Sequence, residues 1–216
     1  MHVVIFAGGT VQPGKAVQAA LASAELIIAA DSGAATALDM GYLPAIVVGD
    51  FDSLAPLPLQ QLETRGSQII RVAAEKDETD SELAVQTAIE RGAGSITMLG
   101  ALGGERFDHT MANVLLLAGF ESPPMCIVDG SSVCWLLRGP GSETIVGSPG
   151  DLLSLIPLTT AATGVRTSGL YYPLDGGTLR FGKPRGVSNV LTSERATVSL
   201  ESGLLLIIHT ETGVPT

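Results

Sequence analysis

The chain has 216 residues, is 45 % hydrophobic and carries a formal charge of −10. That length and apolar content suffice for one large or two small packed domains and exclude a disordered chain. The acidic balance excludes broad binding to nucleic acid or anionic membrane, which needs a basic footprint, so an anionic substrate here requires a metal ion or local donors.

Short apolar runs alternate with helical stretches from Met1 to about Phe120. Runs at 3–7, 26–30, 45–48, 69–72 and 96–99 read as parallel strands buried on both faces. The segments 15–24, 34–40, 57–65, 81–91 and 110–118 between and after them have helical length and lean towards helix formers. One more run at 126–128 completes the sheet. From about Ser131 the texture changes to short strands divided by glycine, proline and serine, at 133–137, 143–146, 152–155, 177–181, 196–200 and 204–209. The turns Asp175-Gly176-Gly177 and Glu201-Ser202-Gly203 sit where hairpins are expected. The fold expected is α/β: a mostly parallel sheet flanked by helices over residues 1–130, then an all-β, sandwich-like domain over 131–216.

Cys126 and Cys134 lie in separate apolar segments without C-x-x-C spacing and read as reduced core thiols. No basic n-region precedes the first apolar run, and no stretch approaches the roughly 20 apolar residues of a membrane span. A cytoplasmic protein is the expectation.

The strand at 45–48 runs into Gly49-Asp50-Phe51-Asp52-Ser53. Period-two alternation points Asp50 and Asp52 to one side and Phe51 to the other. Two unit charges 4 Å apart at an effective dielectric of about 20 repel by roughly 4 kcal/mol, so both stay ionised only with solvent or a cation between them. In an open parallel sheet ligands bind beyond the carboxyl ends of the strands, where this pair falls, and a divalent ion is the economical explanation. A second acidic cluster, Glu75 to Glu82, follows the next strand. Thr79 and Glu82 fit a capping box, whereas capping does not require both Asp77 and Asp80, which are therefore metal or nucleotide candidates.

The third junction is Leu99-Gly100-Ala101-Leu102-Gly103-Gly104-Glu105-Arg106-Phe107-Asp108-His109. Paired glycines let backbone N–H groups approach a phosphate, and Arg106 adds a planar fork of donors. Asp108 and His109 open the next helix, where Asp108 equally suits an N-cap. A fourth junction supplies Asp31 with Ser32 and Gly33 as donors. Neither a G-x-x-x-x-G-K-[ST] loop nor a full G-x-G-x-x-G turn occurs, which excludes a P-loop enzyme and an NAD-binding Rossmann domain.

Taken in order, Asp31-Ser32-Gly33-Ala34, Gly49-Asp50-Phe51-Asp52-Ser53, Asp77-Glu78-Thr79-Asp80 and Gly103 to His109, with Asn113 one turn on, resemble the thiamine pyrophosphokinase family. In the C-terminal half, Gly169 to Leu174 and Gly186-Val187-Ser188-Asn189 resemble its thiamine-side segments more loosely. The chain departs from the family pattern at Ser32, where a second glycine is usual, and at Val190, where an acidic residue is frequent.

The resemblance implies an α/β nucleotide domain followed by a β-sandwich. It also implies transfer of an intact diphosphoryl group from ATP to the hydroxyl of thiamine, giving thiamine diphosphate and AMP, by a homodimer with thiamine near the subunit interface. By the same resemblance Asp50, Asp52 and Asp77 hold Mg²⁺ or lie beside it, and with Asp80 and Asp108 form the catalytic acids. Asp31, Ser32, Gly33, Thr79, Gly103, Gly104, Arg106 and His109 serve ATP, and Tyr171, Tyr172, Ser188 and Asn189 face thiamine. Asp52 and Asp77 both qualify as the base for the alcohol proton. The rival readings are a diphosphokinase for another alcohol such as a hydroxymethylpterin, a nucleotide- or thiamine-binding regulator without catalysis, and a phosphohydrolase.

Overall fold

The computed structural model describes residues 1–52, 56–104 and 106–213, so Ser53 and Glu105 of the motifs above lie outside the described residues. The chain divides into two compact units, Met1–Gly130 and Ser131–Thr216.

The first unit is a parallel sheet of β1 (His2–Phe6), β2 (Leu26–Ala30), β3 (Ile46–Gly49), β4 (Gln68–Arg71), β5 (Ser95–Leu99) and β6 (Met125–Asp129) in the order β6-β5-β1-β2-β3-β4. The helices are α1 (Lys15–Ala22), α2 (Gly33–Asp39), α3 (Pro56–Thr64), α4 (Asp80–Glu90) and α5 (Phe107–Gly119). Val3, Val4, Ile5 and Phe6 are all fully buried, as an inner parallel strand with both faces covered requires. At the edge strand β4, by contrast, Gln68 and Arg71 are exposed. From β1 the chain steps outward through β2, β3 and β4, then returns to place β5 on the other side of β1. Successive connections therefore diverge between β1 and β5, the kind of switch point at which a crevice opens beyond the strand ends.

In the second unit the described strands are β7 (Ser132–Arg138), β8 (Gly141–Val146), β9 (Leu152–Pro157), β10 (Ala161–Ser168), β11 (Gly177–Arg180), β12 (Asn189–Val190), β13 (Arg195–Leu200) and β14 (Leu204–Thr210). They form two antiparallel layers, β12-β9-β14-β7 and β11-β10-β13-β8. Leu153, Leu155, Leu205 and Ile207 from the first layer meet Ala162, Val165, Ala196 and Val198 from the second in one core, the arrangement of a sandwich. Two details differ from the sequence expectation. Strands β10 and β12 were not expected. The turn Glu201-Ser202-Gly203 is not a hairpin, because β13 and β14 belong to different layers and the chain crosses the core there. Gly203 makes that crossing at φ +101°, where a Cβ would lie 2.5 Å from the carbonyl oxygen of Ala161. Among the described residues no helix is long and apolar enough to cross a membrane.

Candidate active site

A cavity of about 350 Å³ opens in the first unit at the carboxyl ends of its strands. Gly8 and Gly9 line it after β1, Asp31 and Ser32 after β2, Asp50 and Asp52 after β3, and Gly100 and Ala101 after β5, so it occupies the switch point. The first turns of α4 (Asp80, Ser81) and α5 (His109, Thr110) complete the wall, and the positive end of each helix dipole favours anions. Gly9 donates its N–H to the Gly100 carbonyl at 2.9 Å. A Cβ on Gly9 would stand 2.5 Å from that oxygen, so only glycine lets the two loops meet.

Parallel pairing of β2 with β3 brings Asp31 beside Asp50 and Asp52. Carboxylate oxygens of the three lie within 4.8 Å of one another. Asp31 is only 7 % exposed, and among the described residues its Oδ1 is a buried side-chain oxygen without a hydrogen-bond partner. Burial pushes its carboxyl above the ordinary range; the Ser32 N–H pulls the other way, and Asp80, Asp50 and Asp52 add to the upward push. Asp52 donates its N–H to Asp50 Oδ1 at 3.1 Å, which fixes the turn between them. Converging carboxylates with an unpaired buried oxygen and only hard oxygen donors fit a divalent cation such as Mg²⁺.

Asp80 lines the cavity from the first turn of α4 and receives Lys76 Nζ at 2.6 Å. Thr79 caps that helix, its Oγ1 accepting the Glu82 N–H at 3.1 Å, as the capping pattern predicts. Asp77 is exposed and is not part of the cavity wall, so the structure does not bring it together with Asp50 and Asp52. Arg106, at the N-cap of α5, lines the cavity with Gly103, Gly104 and His109. Its guanidinium donates Nε to Asp108 Oδ1 at 3.0 Å and Nη2 to Oδ2 at 2.6 Å. That paired donation lowers the Asp108 carboxyl to about 2. Asp108 sits in the first turn rather than at the cap, exposed and outside the cavity wall. Ser32 and Gly33 start α2, and Gly33 lies so close to β1 that a Cβ would be 2.2 Å from the Phe6 carbonyl oxygen.

Sequence reasoning missed the roles of Gly8, Gly9, Gly100 and Ala101 in the cavity wall. The signal was the Gly8-Gly9 pair after the first strand, which the NAD-binding template tests and rejects. Asn113, buried on α5, donates Nδ2 to the Ala101 carbonyl at 3.0 Å and so ties the helix to the loop after β5.

The thiamine-side candidates lie in the second unit. Asn189 accepts the Tyr172 N–H on Oδ1 at 3.0 Å and donates Nδ2 to the Tyr172 carbonyl at 2.8 Å, which joins the two segments. Tyr171 and Tyr172 are both 65 % exposed, with ring centroids 4.8 Å apart in an edge-to-face pair. Ser188 is exposed, has φ +59° and donates its N–H to Ser154 Oγ at 3.1 Å.

Residues 17–128 match the sequence profile described as thiamin pyrophosphokinase, catalytic domain, and residues 143–205 that of thiamin pyrophosphokinase, vitamin B1 binding domain. The chain is 30 % identical over 187 residues to a thiamine pyrophosphokinase of Bacillus subtilis, covering 85 % of this chain and 86 % of that one. It is 28 % identical to thiamin pyrophosphokinase 1 of Caenorhabditis elegans, covering 79 % and 72 % respectively. Its structure superposes on the crystal structure of the B. subtilis enzyme with a TM-score of 0.86 at 28 % identity, over 98 % of this chain and all of that one. The crystal structure of thiamin pyrophosphokinase from Geobacillus thermodenitrificans gives a TM-score of 0.82 at 29 % identity, over 99 % of each chain.

Proposed function

The chain belongs to the thiamine pyrophosphokinase family, and on that premise we propose how its residues carry out the transfer of diphosphate from ATP to the thiamine hydroxyl. The match of residues 143–205 to a vitamin B1 binding domain favours thiamine over a pterin alcohol. Asp31, Asp50 and Asp52 would hold Mg²⁺, which supplies charge neutralisation across the polyphosphate. The single observation behind this assignment is the unpartnered, buried Asp31 Oδ1 facing two more carboxylates.

The rest follows from the cavity wall. Glycine N–H groups at 8 and 103–104 and the guanidinium of Arg106 take phosphate oxygens, with the first turns of α4 and α5 behind them. A polyphosphate reaching Arg106 competes with Asp108 for the same fork of donors. Thr79 and His109 line the nucleotide side, and Asp80, steadied by Lys76, faces the triad. In-line attack of the alcohol on the β-phosphorus releases AMP, and Asp52, the most exposed carboxylate of the triad, takes the alcohol proton. Tyr171, Tyr172, Ser188 and Asn189 form the thiamine side, and Asp77 stands outside the metal set.

Two further assignments concern assembly and location. A homodimer is supported by large apolar side chains left exposed in each unit: Phe107, Met111 and Leu115 at i, i+4, i+8 along α5, and Tyr171, Tyr172 and Phe181 in the sandwich. A cytoplasmic location is supported by cysteines that form no disulfide and by the use of ATP. Incubation with ATP, Mg²⁺ and thiamine, with products read by mass spectrometry, tests the whole reading. Asp50→Asn and Asp52→Asn are expected to remain folded and lose AMP formation by at least about a hundredfold. Near-wild-type AMP release by either variant would overturn the metal assignment.

A further inference from the structure

Phe51 sits between the two metal-site carboxylates with φ +64°, a left-handed conformation that a bulky side chain rarely adopts. Such a residue persists only where its surroundings over-determine it. Two contacts do so. The Phe51 side chain is packed away, at 8 % exposure. The guanidinium carbon of Arg71 also lies 5.1 Å from its ring centroid, within the range of a cation–π contact. Arg71 is the last residue of β4 and pairs in register with Gly49, immediately before Asp50. Glu63 of α3 holds the same guanidinium, Oε1 to Nη2 at 3.6 Å. Glu63, Arg71 and Phe51 thus form a chain of contacts from α3 to the centre of the turn, and neither Glu63 nor Arg71 lines the cavity.

We propose that Arg71 is a positioning residue for diphosphate transfer: stacked on Phe51, it holds the strained turn in the conformation in which Asp50 and Asp52 converge with Asp31 on a divalent cation. The inference rests on the magnesium reading of the acidic triad. Charge alone predicts the reverse behaviour, because a nearby guanidinium repels a divalent ion and its loss strengthens carboxylate affinity for that ion. The two roles therefore differ in sign.

The test is calorimetric titration of the full chain with Mn²⁺ in the absence of ATP, with circular dichroism confirming the fold of each variant. Arg71→Met is expected to bind Mn²⁺ roughly two- to fivefold more weakly, the range that loss of an exposed cation–π contact supports. Arg71→Lys, which keeps a cation over the ring, is expected to fall between Arg71→Met and wild type. In a Phe51→Leu background Arg71→Met should add nothing further. Unchanged or tighter binding by Arg71→Met overturns the proposal, and that sign decides the matter alone if Phe51→Leu does not fold. Absence of Mn²⁺ binding by the wild type, or undiminished binding by Asp50→Asn, overturns the magnesium reading and the proposal with it.

Discussion

At Asp31, burial and three neighbouring carboxylates act in the same direction on one proton. The native chain therefore holds that proton more tightly than the unfolded chain, whose carboxyl titrates near about 3.9. Between that value and the raised native one, stability falls as pH rises, so at neutral pH without a divalent ion the group destabilises the fold. Asp31→Asn is expected to melt at a higher temperature than wild type in chelator. Magnesium at a hundred times its dissociation constant should stabilise the wild type by about 2.7 kcal/mol and leave the variant unmoved. Calorimetric scans with and without Mg²⁺ check both, and a lower metal-free melting point in the variant would contradict the sign.

Asp151 in the sandwich behaves oppositely. Burial pushes its carboxyl up, but the N–H groups of Ser148 and Thr212 and the ring of His209 outweigh it, and the net displacement is downward. Its stabilisation is present above about pH 3.9 and is lost as pH falls through the lower native value. Asp151→Ala should destabilise by about 1–3 kcal/mol at pH 7 and by much less near pH 2, as read by urea unfolding. At this scale the aspartates were legible because charge at the end of an apolar strand demands a reason. The grouping of Asp31 with Asp50 and Asp52 was not, because it depends on β2 lying beside β3, and the family resemblance pointed to Asp77 instead.

Elements of the parallel sheet were read within a residue or two because each is a continuous apolar run. The sandwich was harder. Ala161–Ser168 contains two alanines, a glycine and four polar residues, and its buried positions Ala162 and Val165 are three apart. A register shift between them, with Gly164 at φ +63°, breaks the alternation by which a strand is recognised. Close approach is equally invisible to pattern: nothing in Asp31-Ser32-Gly33 says that α2 lies against the end of β1. Gly33→Ala would place a methyl carbon 2.2 Å from the Phe6 carbonyl oxygen and 2.7 Å from that of Ala7, both backbone atoms. We expect about 1–3 kcal/mol of lost stability by denaturant midpoint, with weakened magnesium binding because Asp31 shifts with the helix. An unaltered midpoint would show that the junction relaxes freely.

For the whole molecule, a net charge of −10 and a cavity whose described wall carries four carboxylates and one guanidinium make an anionic substrate dependent on added cations. The dimer reading predicts that sedimentation shows two copies and that Met111→Glu with Leu115→Glu shifts the population to monomer; a wild-type chain that sediments as a monomer would overturn it. The orphaned Asp31 oxygen also acts beyond catalysis. A buried carboxylate without a compensating cation makes the metal-free protein the more readily opened form, and proteases act on opened chains. On the magnesium reading, scarcity of the ion should then shorten the half-life of the enzyme in the cell, so that its abundance follows the ion supply.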